Sequence, residues 1–338
     1  MIVAVALLGY AALLAFVIAP RLTGAAWTRR SPRLGVAAWQ TLTAGLTVAT
    51  VLGAIALAVP TMRVSADLAL LLHACVMALR TQYSAPGGAA LAATGAVLAL
   101  AVTARVGWVL TAGLLRMLRQ RRDHRDAVTV VGRADADLGV TVVTSDTPAV
   151  YCLPGRRRTV VVTTAALSAL DDEKLTAVLA HERAHLRGRH DLVLAYACAM
   201  ERAFPKLRAF RDAAAETALL IEMCADDAAS SASGRLPVAH ALLAIAAGPA
   251  PAAALGAGGS STPARIRRLI DDPAPLHRRQ RLAGTTGVGA LLLLPLIIAT
   301  GPAAAATGMN YCPAAQQTAA ACPHNGDCDH RHMRDSMP

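Results

Sequence analysis

The sequence predicts an α+β fold: a polytopic α-helical membrane protein, with about four transmembrane helices, into which one polar domain is inserted before the last of them. Three observations carry this. Apolar residues make up 55% of the 338, yet they fall into long uncharged runs instead of spreading evenly. Between the third and fourth runs lies a polar module of about 165 residues, the size of one ordinary domain. Inside that module, short β-branched stretches precede helical patterns, and one of these contains His181-Glu182-x-x-His185.

The first run, Ile2 to Pro20, carries no charge and has no basic residue before it, so a secretory signal peptide fits it poorly. The second extends from Leu34 to Pro60, and the third from near Gly88 to about Leu115, interrupted by Arg105. The fourth runs from Ala283 to Gly301 with Pro295 inside it. Each reaches about 20 residues, sufficient to cross a hydrocarbon core of ~30 Å. Arg105 is expected where the apolar part of the third span ends, its side chain snorkelling to the interface, with an intramembrane functional charge as the alternative. A shorter stretch at 66–80 falls below spanning length and reads as an interfacial or re-entrant helix. The expected division is three spans with short loops in 1–118, the polar domain in 119–282, a fourth span in 283–301 and a Cys/His-containing tail in 302–338. An Ala/Gly/Pro-rich linker is expected at 247–265.

Basic residues set the orientation. Arg21, Arg29, Arg30 and Arg33 follow the first span, Arg116, Arg119, Arg121, Arg122 and Arg125 follow the third, and Arg278, Arg279 and Arg281 precede the fourth. The loop between spans two and three has only Arg63 and Arg80. The positive-inside rule therefore places the polar domain in the cytoplasm of a multi-pass cell-membrane protein, with the N-terminus and the tail outside. The net charge of +11 is then largely juxtamembrane arginine facing anionic lipid of the bilayer, which argues against direct nucleic-acid binding. Cys152, Cys198 and Cys224 are expected as cytoplasmic thiols. Cys75, Cys312, Cys322 and Cys328 would lie outside, an even number able to form two disulfides. With His324, His330 and His332 the tail also offers soft donors for copper or zinc, beside the plainer readings of a stapled or disordered tail.

Within the polar domain, "AVTVVGR" (127–133) and "GVTVVTS" (139–145) read as short strands, and "PAVYCLPGRRRTVVVTTAAL" as a hairpin-like pair turning at Pro154-Gly155. The strand from Arg158 to Thr164 reads either as a core strand or as an edge that an extended substrate pairs with. Asp171 starts a helix, with Asp172 and Glu173 in its first turn, that reaches about Arg189. Two more helices follow, Asp191 to about Phe204 and about Lys206 to Ser231. Beyond the linker a short basic helix is expected, with Thr262 as N-cap and Pro263 at its first position.

Residues four apart on a helix share a face, so His181 and His185 can reach one zinc ion. Glu182, beside the open coordination position, is placed to take a proton from an attacking water and return it to a leaving amine. The third ligand is open at this point. Gly188 stands where the pattern His-Glu-x-x-His-x-x-Gly-x-x-His has its glycine, which makes Asp191 one candidate and requires the chain to turn back at Gly188. Glu222 is the other, with Asp226 one helical turn on to hydrogen-bond a ligating histidine; Glu216 is a weaker third. No residue is singled out as the oxyanion stabiliser; Arg187, Arg189 and His190 are candidates on proximity alone, and Cys224 reads as a small buried residue.

"ALSALDDEKLTAVLAHERAHLRGRHDL", followed by "EMCADD" and flanked by a third and a fourth span, resembles the BlaR/MecR-type antirepressor family of membrane zinc metallopeptidases. The resemblance covers most of residues 88–301 and is carried by "HERAH", "RHD" and "EMCAD". It implies a zincin-like domain of the gluzincin type on the cytoplasmic face. By position it implies His181, His185 and Glu222 as zinc ligands, Glu182 in catalysis, Asp226 behind a ligand, and Asp191 as a structural residue of the following turn. The implied activity is that of a zinc endopeptidase that converts an external signal into cleavage of a cytoplasmic transcriptional repressor or of itself. The best-known members carry a penicillin-binding sensor domain after the last span, where this chain has about 37 residues. A membrane-protein processing peptidase, and a non-enzymatic metal sensor or scaffold, are the alternatives.

Overall fold

The computed structural model describes residues 1–59, 77, 86–155, 158–246 and 258–307. The 66–80 stretch apart from Met77, and the tail cysteines and histidines, fall outside them. Among the described residues, four helices are long and apolar enough to cross a membrane: α1 (Ile2–Thr23), α3 (Pro32–Ala58), α4 (Gly88–Val131) and the Arg278–Thr300 part of α11 (Arg278–Thr307). A short helix, α2 (Ala26–Arg30), joins the first two. α3 is the hub, packed against α1, α4 and α11. Glycine makes these crossings close: a Cβ on Gly45 would overlap the Leu291 carbonyl of α11, and one on Gly95 would lie 2.5 Å from the Ala54 carbonyl. Tyr10 Oη donates to the same Leu291 carbonyl at 2.9 Å.

The 44 residues of α4 extend about 66 Å, roughly twice a hydrocarbon core, and run without a break into the sheet. This overturns the strand expected at 127–133, and the boundary expected at 118 falls inside a continuous helix. Residues 127–131 are helical because the polar segment before them contains no breaker and Val128 packs on Leu153 and Val161 of the sheet, so tertiary contact overrides β propensity. Arg105 donates to the carbonyls of Ala203 and Arg202. A cation from the third apolar helix thus caps the C-terminus of a helix of the polar domain.

The sheet has order β1-β2-β4-β3, from β1 (Gly132–Asp135), β2 (Val140–Val143), β3 (Val150–Leu153) and β4 (Thr159–Thr163). β2 and β4 are parallel; the other pairs are antiparallel. β4 is therefore interior, hydrogen-bonded on both sides, with Val160, Val161 and Val162 buried. It cannot accept a substrate strand, which corrects the pairing considered for residues 158–164. The edge beside the zinc-motif helix is β3.

After α5 (Thr164–Ala169) come α6 (Asp172–Gly188), α7 (His190–Ala203), α8 (Arg208–Ser233), α9 (Arg235–Ala246) and α10 (Gly258–Asp271). Asp171 caps α6, its Oδ1 accepting from the Lys174 amide at 2.9 Å. The expected linker ends early: α10 begins at Gly258, so Thr262 is not an N-cap and Pro263 lies inside the helix. Two cores result. One buries Leu175, Val178, Leu179 and Leu186 of α6 against Val160 and Val162 of β4 and against α9. The other joins Phe210, Leu220 and Met223 of α8 to Trp39 and Leu42 of α3 and Leu14 of α1. A Cβ on Gly35 would lie 2.9 Å from Leu220, so the glycine lets α3 and α8 meet closely. α8 is thus shared between the apolar bundle and the polar domain.

Candidate metal centre

α6 presents His181 and His185 on one face toward α8, where Glu222 meets them. His181 Nε2 and His185 Nε2 are 3.0 Å apart. Glu222 Oε2 lies 3.4 Å from the first and Oε1 3.5 Å from the second. The three donor groups converge within 4.8 Å of one another. Tetrahedral zinc with bonds of about 2.1 Å separates its donors by about 3.4 Å, so this donor set fits such an ion in both chemistry and spacing. Asp191 is not in the cluster: it is ion-paired to Arg121 of α4. Glu216 is bonded through both oxygens to Arg29, at 2.9 and 3.1 Å.

Each imidazole has a partner behind it. Asp226 Oδ1 lies 3.0 Å from His181 Nδ1, off the N–H axis, so the contact is one of charge more than a linear hydrogen bond. Behind His185, its Nδ1 faces His190 Nδ1 at 3.0 Å. His190 reaches this position because α6 ends at Gly188, Arg189 takes a left-handed turn with φ 48°, and α7 starts at once. A Cβ on Gly188 would overlap the His190 ring. The glycine therefore makes room for His190; it does not return the chain to the metal point. Gly188→Ala is expected to keep the fold but displace that ring, lowering zinc affinity about tenfold. Competition against a chelator checks this, and an unchanged affinity would remove His190 from the site.

The electrostatics follow from burial and charge. Burial is the largest influence on His181 and opposes its protonation, yet Asp226 and Glu222 together raise its pKa to about 9. His185, dominated by burial, is lowered to about 4. Burial also works against the Glu222 carboxylate, but His181 and Arg265 outweigh it and hold the pKa at about 2. Glu182, next along α6, is pushed up mainly by burial; it feels the charges of His181 and Glu222 and meets the thiol of Cys152 on β3. A carboxyl raised in this way suits proton transfer near neutral pH. Burial likewise raises the Cys152 thiol, with Glu182 adding to it.

One residue escaped the sequence reading. Arg265 of α10, 6% exposed, donates from Nε and Nη2 to both oxygens of Asp226, and its Nη1 is ion-paired with Glu222 Oε2. It stands in the segment read partly as linker and partly as a short basic helix, and no fixed spacing ties it to the zinc motif.

Two imidazoles and a carboxylate converging on one point, with a raised glutamate beside them, form the constellation of a metal-dependent hydrolase. The comparison with protein families then narrows the class: residues 117–230 match the model of Peptidase family M48. The matched segment, from the end of α4 through most of α8, supports a metallopeptidase domain of the M48 kind. The match does not extend to the particulars of the BlaR/MecR resemblance. No curated protein and no solved structure matches the chain.

Proposed function

We propose that the protein is a membrane-embedded zinc endopeptidase with its catalytic domain on the cytoplasmic face. The observation that carries this is the convergence of His181, His185 and Glu222, with Glu182 alongside, inside the segment that matches a peptidase family. His181, His185 and Glu222 would hold the ion and Asp226 would orient His181. When bound, zinc supplies Lewis acidity and makes a water acidic enough to lose its proton near neutral pH. Glu182 accepts the proton of the attacking water and passes it to the departing amine as the peptide bond breaks. The substrate binds as an extended strand along the outer edge of β3, the edge strand in contact with α6.

The substrate is a cytoplasmic regulator of the repressor type or the chain itself, cleaved in response to an external signal. The sharing of α8 supports this reading. Its Leu220 and Met223 pack in the core formed with α1 and α3, while Glu222 and Asp226 face α6, so a shift of the membrane helices is felt at a zinc ligand. The test is to map new protein N-termini in cells producing the wild type or Glu182→Gln. One Glu182-dependent product from a regulator or from the chain itself is expected. A broad set from membrane proteins would favour a processing peptidase instead, and identical profiles would defeat the proteolytic reading.

A further inference from the structure

We propose that Arg265 is the positioning residue of the metal centre: a single guanidinium that aims the Glu222 carboxylate at the two histidine nitrogens and balances Asp226 behind His181. This rests on the zinc reading above. It adds a residue from α10, which lies outside the segment matching the peptidase family and directly precedes α11.

The argument is geometric. Arg265 Nε lies 2.8 Å from Asp226 Oδ2, Nη2 lies 2.7 Å from Oδ1, and Nη1 lies 2.9 Å from Glu222 Oε2. Only a planar fork of donors engages two carboxylates one helical turn apart in this way; an ammonium is a point charge and would bridge them poorly. Glu222 Oε2 is held between Arg265 and His181, which leaves Oε1 directed at His185. The torsions of the glutamate are thereby fixed before a metal arrives. Asp226 is 1% exposed, and without Arg265 its charge would be buried without a cationic partner whenever His181 is neutral, as it must be to bind zinc.

A merely structural role, clamping α10 to α8, has a control built into the fold. Arg268 also makes a two-pronged pair, with Asp227, at 2.7 and 2.9 Å between the same two helices, while its Nε donates to the Arg29 carbonyl; among the described residues that pair makes no hydrogen bond or ion pair with the metal cluster. If clamping is what matters, losing either pair should act alike.

The experiment measures zinc dissociation constants by chelator competition on the full chain in detergent. Asp226→Asn is compared with Arg265→Gln/Asp226→Asn and with Arg268→Gln/Asp227→Asn. Each double variant removes one cation and one anion together, so net charge is unchanged; in the Arg265 double variant Glu222 keeps His181 as its partner. Asp226→Asn is expected to weaken zinc about tenfold, and the Arg265 double variant at least about tenfold further. The Arg268 double variant should stay within about twofold of wild type, because both residues stand off the metal point. Cobalt(II) absorption should change shape in the Arg265 double variant and not in the Arg268 one. Arg265→Lys, which keeps one charge but loses the fork, should also weaken zinc about tenfold and serves if the double variant does not fold. The proposal is overturned if the Arg265 double variant binds zinc as tightly as Asp226→Asn, if Arg265→Lys binds like wild type, or if the Arg268 pair matters equally. A wild-type chain that binds no zinc is a separate outcome and defeats the zinc reading itself.

Discussion

Glu182→Gln is expected to lower kcat/KM for peptide hydrolysis by about 10²–10⁴-fold while zinc content stays at the wild-type level. Glutamine occupies nearly the same volume and can still meet Cys152, so the fold and the ligand set are untouched. What is lost is the proton acceptor, and with it both transfers, from water and to the leaving amine. At room temperature this corresponds to about 3–5 kcal/mol of barrier. The check is hydrolysis of a quenched fluorescent peptide by detergent-purified protein, with metal content measured on the same sample. Loss of zinc together with activity would mean that Glu182 holds the site together and has no separate proton-transfer role.

The second large effect is on pH. Zinc needs the Nε2 lone pair of His181 with the ring neutral, whereas in the metal-free site His181 holds its proton up to about pH 9. Proton and metal compete, so zinc affinity falls as pH falls through that value. His185 at about 4 and Glu222 at about 2 are already deprotonated at neutral pH and add no further competition there. Zinc affinity should therefore rise about tenfold per unit, or about 100-fold between pH 5.5 and 7.5, with close to one proton per zinc coming from His181 at pH 7, beside any that a bound water would lose. Calorimetric titration in two buffers of different ionisation enthalpy measures the proton count. Asp226→Asn removes a negative neighbour, lowers the His181 pKa and should reduce the proton released. A flat profile and no proton release would show that His181 carries no proton before the metal binds, which would contradict this account of its charge.

The parts of this architecture governed by local rules were legible in the sequence. The zinc-motif helix, its Asp171 cap, its end near Arg189 and the strand pair around Pro154-Gly155 all follow from capping, periodicity and turn chemistry. Glu222 with Asp226 was recognisable because a helical spacing of four is visible in a linear chain. Where the reading failed, a distant partner decided the outcome. Residues 127–131 look like a strand by composition, yet the contacts of Val128 with the sheet keep α4 helical. His190 was one residue too early for a metal ligand, and its place behind His185 appears only once Arg189 turns left-handed. Arg265 comes 39 residues after Asp226, and what reveals it is that "ADD" and "RIRR" complement each other across two packed helices. The role of β4 stayed open between a core strand and a substrate-pairing edge for a related reason, since strand order in a sheet is a matter of pairing across distance.

The most direct measurement is zinc stoichiometry in detergent-purified wild type, Glu222→Gln and Asp191→Asn. One zinc per chain is expected in the wild type and in Asp191→Asn, because the Asp191 carboxylate is engaged by Arg121 and stands apart from the histidines. Glu222→Gln should lose the metal at the same chelator concentration. Zinc lost from Asp191→Asn and kept by Glu222→Gln would contradict the site described here and the peptidase reading built on it.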